Sequence, residues 1–151
     1  MKKYILIKLL TVMLCLTFLI PIAMADSCCA TDKSIHEANI DGYHFVYKLI
    51  DMKAKMKDMK DMGIHHDMDK IAASHHLMLF IKNAKGDTVV ADTVGYLITG
   101  PEGKDQKMMA MGMSGGYGAD VTLSQPGEYT VKTKAIIGGQ NLMDSFTYTL
   151  K

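Results

Sequence analysis

The chain has 151 residues, with 17 basic residues that are all Lys, 16 acidic residues and a net charge of +1. A chain so close to neutrality lacks the basic patch that nucleic acid or an anionic membrane requires, and without Arg it lacks the usual bidentate phosphate ligand. Its unusual component is methionine, with 14 residues. Thioethers are soft ligands that select Cu(I) over Zn, Mg or Ca, so copper handling is the first functional hypothesis.

The first 25 residues have the pattern of a secretory signal peptide. Lys2, Lys3 and Lys8 form a basic start, residues 9–20 are apolar, and Pro21 precedes a small-x-small cleavage site at 23–25. We expect cleavage there, a periplasmic location and a mature form that does not span the membrane. An uncleaved anchor over residues 4–25 is the alternative.

Residues 26–34 are predicted to be a flexible tail that carries the adjacent pair Cys28 and Cys29. Neighbouring cysteines bridge only through a strained ring, so this pair does not supply a framework disulfide. Three roles stay open for it: an intermolecular or regulatory bridge, a thiolate pair that binds metal, or no role at all. A fourth, lipidation of Cys28, is disfavoured because Asp26 stands where a lipidation signal has a small or apolar residue.

From residue 35 onward the hydrophobic period is mostly two, which is typical of half-buried strands. Glycine, proline and aspartate lie between the alternating segments and predict turns. About seven short strands separated by turns favour an all-β, Ig-like antiparallel sandwich over residues 35–151. The predicted strands cover residues 35–40, 43–51, 75–83, 89–99, 117–123, 128–135 and 145–150.

Residues 51–74 interrupt the β pattern with a Met/His-rich insertion. Methionines at spacings of four, three and three allow an amphipathic helix over residues 51–62 that stops at Gly63. Such a stripe of methionines commonly packs in the core. A packing helix would also contain Leu, Ile, Val or Phe, and Ile64 is the single residue of these types in residues 52–69. We therefore predict metal ligands in this segment, namely Met59, Met62, His65, His66 and Met68.

Two further histidines lie at the start of the predicted strand 75–83. Strand alternation sends His75 and His76 to opposite faces, the first with Leu77 and the second with Met78. Either histidine can be a ligand beside the insertion or a solvated strand end. Met78 itself is interpreted as a packing residue.

A second methionine cluster, residues 108–113, is flanked by glycines and is predicted to be a loop. If the segment is extended, Met109, Met111 and Met113 share one face, and three thioethers suit trigonal Cu(I). A loop whose methionines are apolar anchors under the sandwich is the alternative.

Residues 123–131 resemble the tyrosine corner of Ig-like sandwiches, in which a turn Gly precedes a strand whose Tyr hydroxyl bonds back to the upstream backbone. With the signal peptide, the Met-rich loops and the strand-end His, this looks like the small bacterial periplasmic metal-handling proteins: YtkA-like domains, CopC-type copper-resistance proteins and periplasmic iron/copper transport proteins. The likeness rests on motif order from His75, through residues 108–113 and 117–120, to Tyr129. It implies a protein that binds copper without catalysing a reaction.

The leading hypothesis is therefore a periplasmic copper carrier, buffer or chaperone. Methionines would hold Cu(I), the favoured ion, while the histidines would hold Cu(II) or complete mixed sites, and Fe(II) stays open. A membrane metal transporter or a cytochrome-assembly protein would be the partner. The alternative is an interaction domain of an envelope complex whose Met-rich segment contacts a partner.

An enzyme is the weakest hypothesis. The chain has no Ser-His-Asp order with a nucleophile elbow, no glycine-rich phosphate loop and no dense carboxylate pair near a His.

Overall fold

The computed structural model describes residues 33–62 and 73–151, without the side chain of Lys60. The predicted signal peptide, Cys28, Cys29, His65, His66 and Met68 lie outside the described residues. Within them the chain forms one helix and nine strands: β1 Ser34–Ile40, β2 Tyr43–Asp51, α1 Met52–Asp61, β3 His75–Lys82, β4 Thr93–Thr99, β5 Asp105–Met109, β6 Met111–Met113, β7 Gly116–Val121, β8 Gly127–Ile137 and β9 Gln140–Leu150.

The strands form two antiparallel sheets, which confirms the predicted all-β sandwich. One sheet has five strands in the order β1-β2-β3-β7-β6, and the other has four in the order β5-β4-β8-β9. Alternate residues of the central strands face inward, and Phe45, Leu79, Ile98 and Leu142 are completely or almost completely buried between the sheets. Burial of each such side chain stabilises the fold by about 1.5 to 3 kcal/mol.

A polar cluster joins the two sheets on the side of β1 and β9. His36 and Tyr47 are cross-strand partners in one sheet, and Thr133 and Asp144 are partners in the other. Nε2 of His36 lies 3.2 Å from Oδ2 of Asp144, and the imidazole stacks on Phe146 with ring centroids 4.2 Å apart. Burial raises the pKa of Tyr47 far above its usual value, so the phenol stays neutral.

The helix α1 lies where the methionine spacing predicts a helix, and it follows β2 without a linker. Oδ1 of Asp51 accepts hydrogen bonds from the backbone N–H groups of Lys53, at 2.8 Å, and Ala54, at 3.1 Å, so Asp51 is the N-cap. Within the described residues no helix is both long and apolar enough to cross a bilayer.

The prediction of a loop at residues 108–113 is wrong. The chain runs along β5 in the four-stranded sheet, crosses at Ala110 and continues as β6 in the five-stranded sheet. The backbone N–H of Ala110 donates to the carbonyl of Val94 at 2.9 Å, which holds the crossing in place. The glycines that suggested a loop belong instead to a tight hairpin turn: Ser114 and Gly115 have φ of 49° and 75°, and Met113 pairs with Gly116.

The tyrosine corner is present. The hydroxyl of Tyr129 donates to the carbonyl of Gln125 at 2.9 Å and accepts from the backbone N–H of the same residue at 3.2 Å. These two bonds hold the segment before β8 against the buried ring of Tyr129.

We expect the substitution Tyr129→Phe to lower the free energy of unfolding by about 1 to 2 kcal/mol, because it removes both hydrogen bonds and leaves the N–H and carbonyl of Gln125 without that partner. Urea denaturation followed by circular dichroism measures this change. Tyr148→Phe is the matched control, since Tyr148 is the cross-strand partner of Tyr129 and its hydroxyl makes no side-chain hydrogen bond among the described residues. Equal losses for the two variants would contradict the role of the corner.

Candidate metal site

The candidate site lies on the outer face of the five-stranded sheet, where three adjacent strands meet. In β3, residues Leu77, Leu79 and Ile81 face the core, so His76 and Met78 point outward. Met78 pairs with Gly118 of β7, and on the other side of β7 Gly118 pairs with Met111 of β6. One row across the sheet therefore has a thioether on each side of a glycine.

Three donor atoms converge on the space above Gly118. A Cβ atom on this glycine would lie 2.7 Å from Sδ of Met78, 3.0 Å from Sδ of Met113 and closer still to Nε2 of His76. All three donors thus lie within 3.0 Å of one point. A glycine inside a strand often marks a close approach of other groups, and here the absent side chain leaves room for two sulfurs and an imidazole nitrogen.

His76 is oriented by a carboxylate. Its Nδ1 lies 2.6 Å from Oδ1 of Asp120, the cross-strand partner of His76 in β7. An ionised carboxylate only accepts hydrogen bonds, so in the neutral imidazole Nδ1 carries the proton and Nε2 carries the lone pair. The side chain of His76 is 15% exposed, and Nε2 is buried with no hydrogen-bond partner in the described part of the chain.

The donor set fits a soft, late first-row ion. A metal-bound histidine normally donates its other N–H to a carboxylate or carbonyl, as His76 does to Asp120. Zn²⁺, an ion of this series, has bonds of about 2.0 Å to nitrogen and 2.3 Å to sulfur. Three donors that all lie within 3.0 Å of the Gly118 Cβ position are close enough to share such an ion, which would lie beyond that position, further from the Gly118 backbone. Two thioethers and one imidazole are all neutral and soft or borderline, the combination that suits Cu(I).

The other histidine of the pair lies elsewhere. His75 is on the core-facing side of β3 at one end of the sandwich, beside Asp51, Tyr148 and Leu150. Its Nδ1 lies 2.8 Å from the hydroxyl of Ser74. Burial lowers the pKa of His75, and the neighbouring Asp51 opposes this effect. The structure thus separates His75 from the donors above Gly118.

Met109 does not share a face with Met111 and Met113, contrary to the expectation for an extended segment. The chain changes sheets at Ala110, so Met109 lies on the outer face of the opposite sheet, against Gly95 and 64% exposed. Alternation holds only along a continuous strand, and this segment consists of two strands.

The methionines of the helix have mixed environments. Met59 is half-buried, and Met62 is exposed immediately after the end of α1. Of the residues predicted as ligands, the structure therefore gathers His76 and Met113 in one cluster, with Met111 on the adjacent position of the same face.

Two members of the site were missed from the sequence. Met78, interpreted as a packing residue, is only 5% exposed, yet its sulfur is among the three convergent donors. The available signal was its position two residues after His76, which places both on one face of β3. Asp120 carries no local signal, because its role depends on the pairing of β7 with β3.

Among the described residues, no group of three or more His, Cys, Asp or Glu side chains is arranged to hold a metal ion. The cluster above Gly118 has instead one imidazole and two thioethers. The fold and this cluster define a class of protein: a two-sheet β-sandwich with a candidate soft-metal site on the outer face of one sheet.

Comparison with solved structures finds similar folds in FetP of a uropathogenic Escherichia coli strain. The as-isolated protein, expressed recombinantly in the periplasm of E. coli, has a TM-score of 0.56 and 14% sequence identity, and the alignment covers 78% of this chain and 93% of that chain. A copper-bound single-residue variant of FetP has a TM-score of 0.54 and 14% identity, over 76% and 93% of the two chains. At this identity the similarity shows a shared fold.

No protein-family model matches the chain, and no curated protein sequence matches it. The resemblance to YtkA-like and CopC-type proteins therefore stays a prediction, while the relationship in fold to FetP is observed.

The contact between His76 and Asp120 can be tested without metal. At a pH where His76 is neutral, we expect its ¹⁵N chemical shifts to report a proton on Nδ1 and a bare Nε2, because Asp120 accepts from Nδ1–H. Asp120→Ala should shift the population toward the Nε2–H tautomer. His44, whose Nδ1 lies 3.0 Å from the amide oxygen of Asn39, is the internal control and should not change. A tautomer at His76 that is unaffected by Asp120→Ala would contradict this assignment.

Proposed function

We propose that this protein is a periplasmic copper carrier that binds Cu(I) through Nε2 of His76 and the sulfurs of Met78 and Met113. The observation that carries this proposal is the convergence of the three donors within 3.0 Å of one point above Gly118. A buried imidazole nitrogen without a partner is costly unless a ligand completes it, and a bound cation would accept its lone pair.

The charge balance of the cluster favours the cuprous ion. Two thioethers and a neutral imidazole add no negative charge, so the bound state keeps the single positive charge of Cu(I) close to the exposed carboxylate of Asp120. A divalent hard ion would need anionic oxygen ligands, which these three donors do not supply. The copper-bound FetP variant supports the proposal at the level of the fold.

Binding and release proceed by ligand exchange. The thioethers have no proton to lose, so copper displaces protons only where the imidazole is protonated. In this proposal the protein has no catalytic role: it holds Cu(I) and passes it to a membrane metal transporter or a cytochrome-assembly protein. Location in the periplasm follows from the predicted signal peptide.

Competitive titration tests the ligand set. The purified chain is titrated anaerobically with Cu(I) against a chromophoric chelator. We expect Met78→Leu, Met113→Leu and His76→Phe each to weaken binding by more than about tenfold, because loss of a group that merely supports a metal ligand already costs about that much. Met→Leu is close to volume-conserving, so the fold should persist. Met143→Leu is the control, because Met143 is exposed on the other sheet.

Two results would contradict the proposal. One is a wild-type chain without affinity for Cu(I), which would leave the interaction-domain alternative. The other is an unchanged affinity in all three ligand variants, which would place the copper elsewhere in the chain.

A glycine substitution tests the geometry independently of the donors. Gly118→Ala places a methyl group at the point where the donors converge, so we expect it to abolish most Cu(I) binding. The imidazole of His76 and the two methionine side chains rotate away from the methyl group, and the protein stays folded. Gly112→Ala is the matched control in the neighbouring strand, since a Cβ there meets nothing within 4 Å. Equal affinities of the two variants in the same titration would contradict a site above Gly118.

A further inference from the structure

We infer that Met111 is an exchange ligand, which takes Cu(I) from a donor at the surface and delivers it to the site of His76, Met78 and Met113, or performs the reverse transfer. This inference rests on the proposed function, and it adds the route by which the ion enters and leaves. The three donors above Gly118 are largely enclosed, whereas the Met111 side chain is 69% exposed on the same face of the sheet.

The register of the sheet places Met111 within reach of the metal position. Met78 and Met111 are the two cross-strand partners of Gly118, one on each side. Directly opposite residues in an antiparallel pair have Cβ atoms about 4.5 to 5.5 Å apart. Sδ of Met78 reaches to within 2.7 Å of the Gly118 Cβ position from its side, so a methionine with the same spacing on the other side can reach it as well.

Met111 and Met113 occupy different positions relative to that point. Met113 pairs with Gly116 and reaches the convergence point from a diagonal position, with Sδ at 3.0 Å. Met111 pairs directly with Gly118 but is directed to solvent. Both side chains are unbranched with three rotatable bonds, so rotation about those bonds can bring Met111 over the glycine without movement of the backbone.

The strand that carries the two methionines is suited to contact with a partner. β6 has three residues, and among residues 33–62 and 73–151 it is the edge strand of its sheet, with β7 as its one neighbour. Gly112, between the two methionines, is exposed, and a Cβ on it would meet nothing within 4 Å. A copper-donating or copper-accepting protein can therefore approach Met111 closely, with a methionine or cysteine sulfur of its own on the ion.

The transfer is a sequence of bond exchanges at constant oxidation state. Sδ of Met111 bonds to the Cu(I) that a donor holds, and one donor–copper bond breaks. The ion then moves over Gly118, and its remaining bonds to the donor break as His76, Met78 and Met113 bond to it. Met111 then dissociates and returns to solvent. The copper stays Cu(I) throughout, and each thioether enters and leaves as a neutral ligand.

An exchange ligand lowers the barrier in both directions and leaves the two end states unchanged. We therefore expect Met111→Leu to slow both loading from a Cu(I)–chelator complex and release to a stronger chelator by about tenfold, a barrier increase of about 1.4 kcal/mol. The dissociation constant at equilibrium should change by less than about threefold, below 0.7 kcal/mol. Stopped-flow absorbance of the chelator measures both rates on the full chain.

Met109→Leu is the matched control. Met109 lies two residues earlier in the chain and is 64% exposed, similar to Met111, but it faces outward from the opposite sheet. We expect it to leave both rates unchanged. X-ray absorption of the Cu(I) form of Met111→Leu should show the same two sulfur ligands and one nitrogen ligand as the wild-type protein.

Unchanged rates in Met111→Leu would overturn the inference, and so would an affinity loss as large as that of Met113→Leu, because Met111 would then be a permanent ligand. Both results require a wild-type chain that binds Cu(I). Failure of the proposed function appears instead as absent affinity in the wild-type protein, so the two failures are distinguishable.

Discussion

The alternation of side chains along β3 is the constraint on which both the core and the candidate site depend. Leu77, Leu79 and Ile81 point between the sheets, so His76 and Met78 must point to the opposite face. The core residues position the strand, and the strand positions the two donors. A shift of one residue in the pairing of β3 would expose the leucines and bury the histidine, so the energy that fixes the core also fixes the site.

The candidate site depends on the absence of a side chain at Gly118. Gly118 is in the interior of β7, where glycine costs about 0.5 to 1 kcal/mol relative to a residue with a side chain. In return, the glycine leaves a space bounded by an imidazole nitrogen and two sulfurs, and Asp120 orients the imidazole. A polar outer face would not normally bury a methionine, yet Met78 is almost completely buried there.

The five buried side-chain polar atoms without a hydrogen-bond partner among the described residues divide into two groups. Four belong to the cluster of His36, Tyr47, Thr133 and Asp144. There Nε2 of His36 and Oδ2 of Asp144 lie 3.2 Å apart without the alignment of a hydrogen bond, and small rotations can pair the groups of the cluster. The fifth is Nε2 of His76, whose neighbours are sulfurs, which are weak acceptors. In the proposed function, a bound metal ion would complete the second environment.

Local patterns in the sequence determined most of the architecture. Alternation and turn residues predicted the sandwich, the methionine spacing predicted α1, and the Gly-x-Tyr pattern predicted the bonds of Tyr129 to Gln125, because each depends on residues close in the chain. Composition suggested the ligand chemistry that the proposed function uses, and alternation separated His75 from His76. Which methionines meet was decided only by the tertiary structure. The crossing at Ala110 separates Met109 from Met111, and the pairing of β3 with β7 and β6 brings Met78 to Met113. Register between strands distant in the chain is set by burial of the whole core, so no local window of sequence contains it.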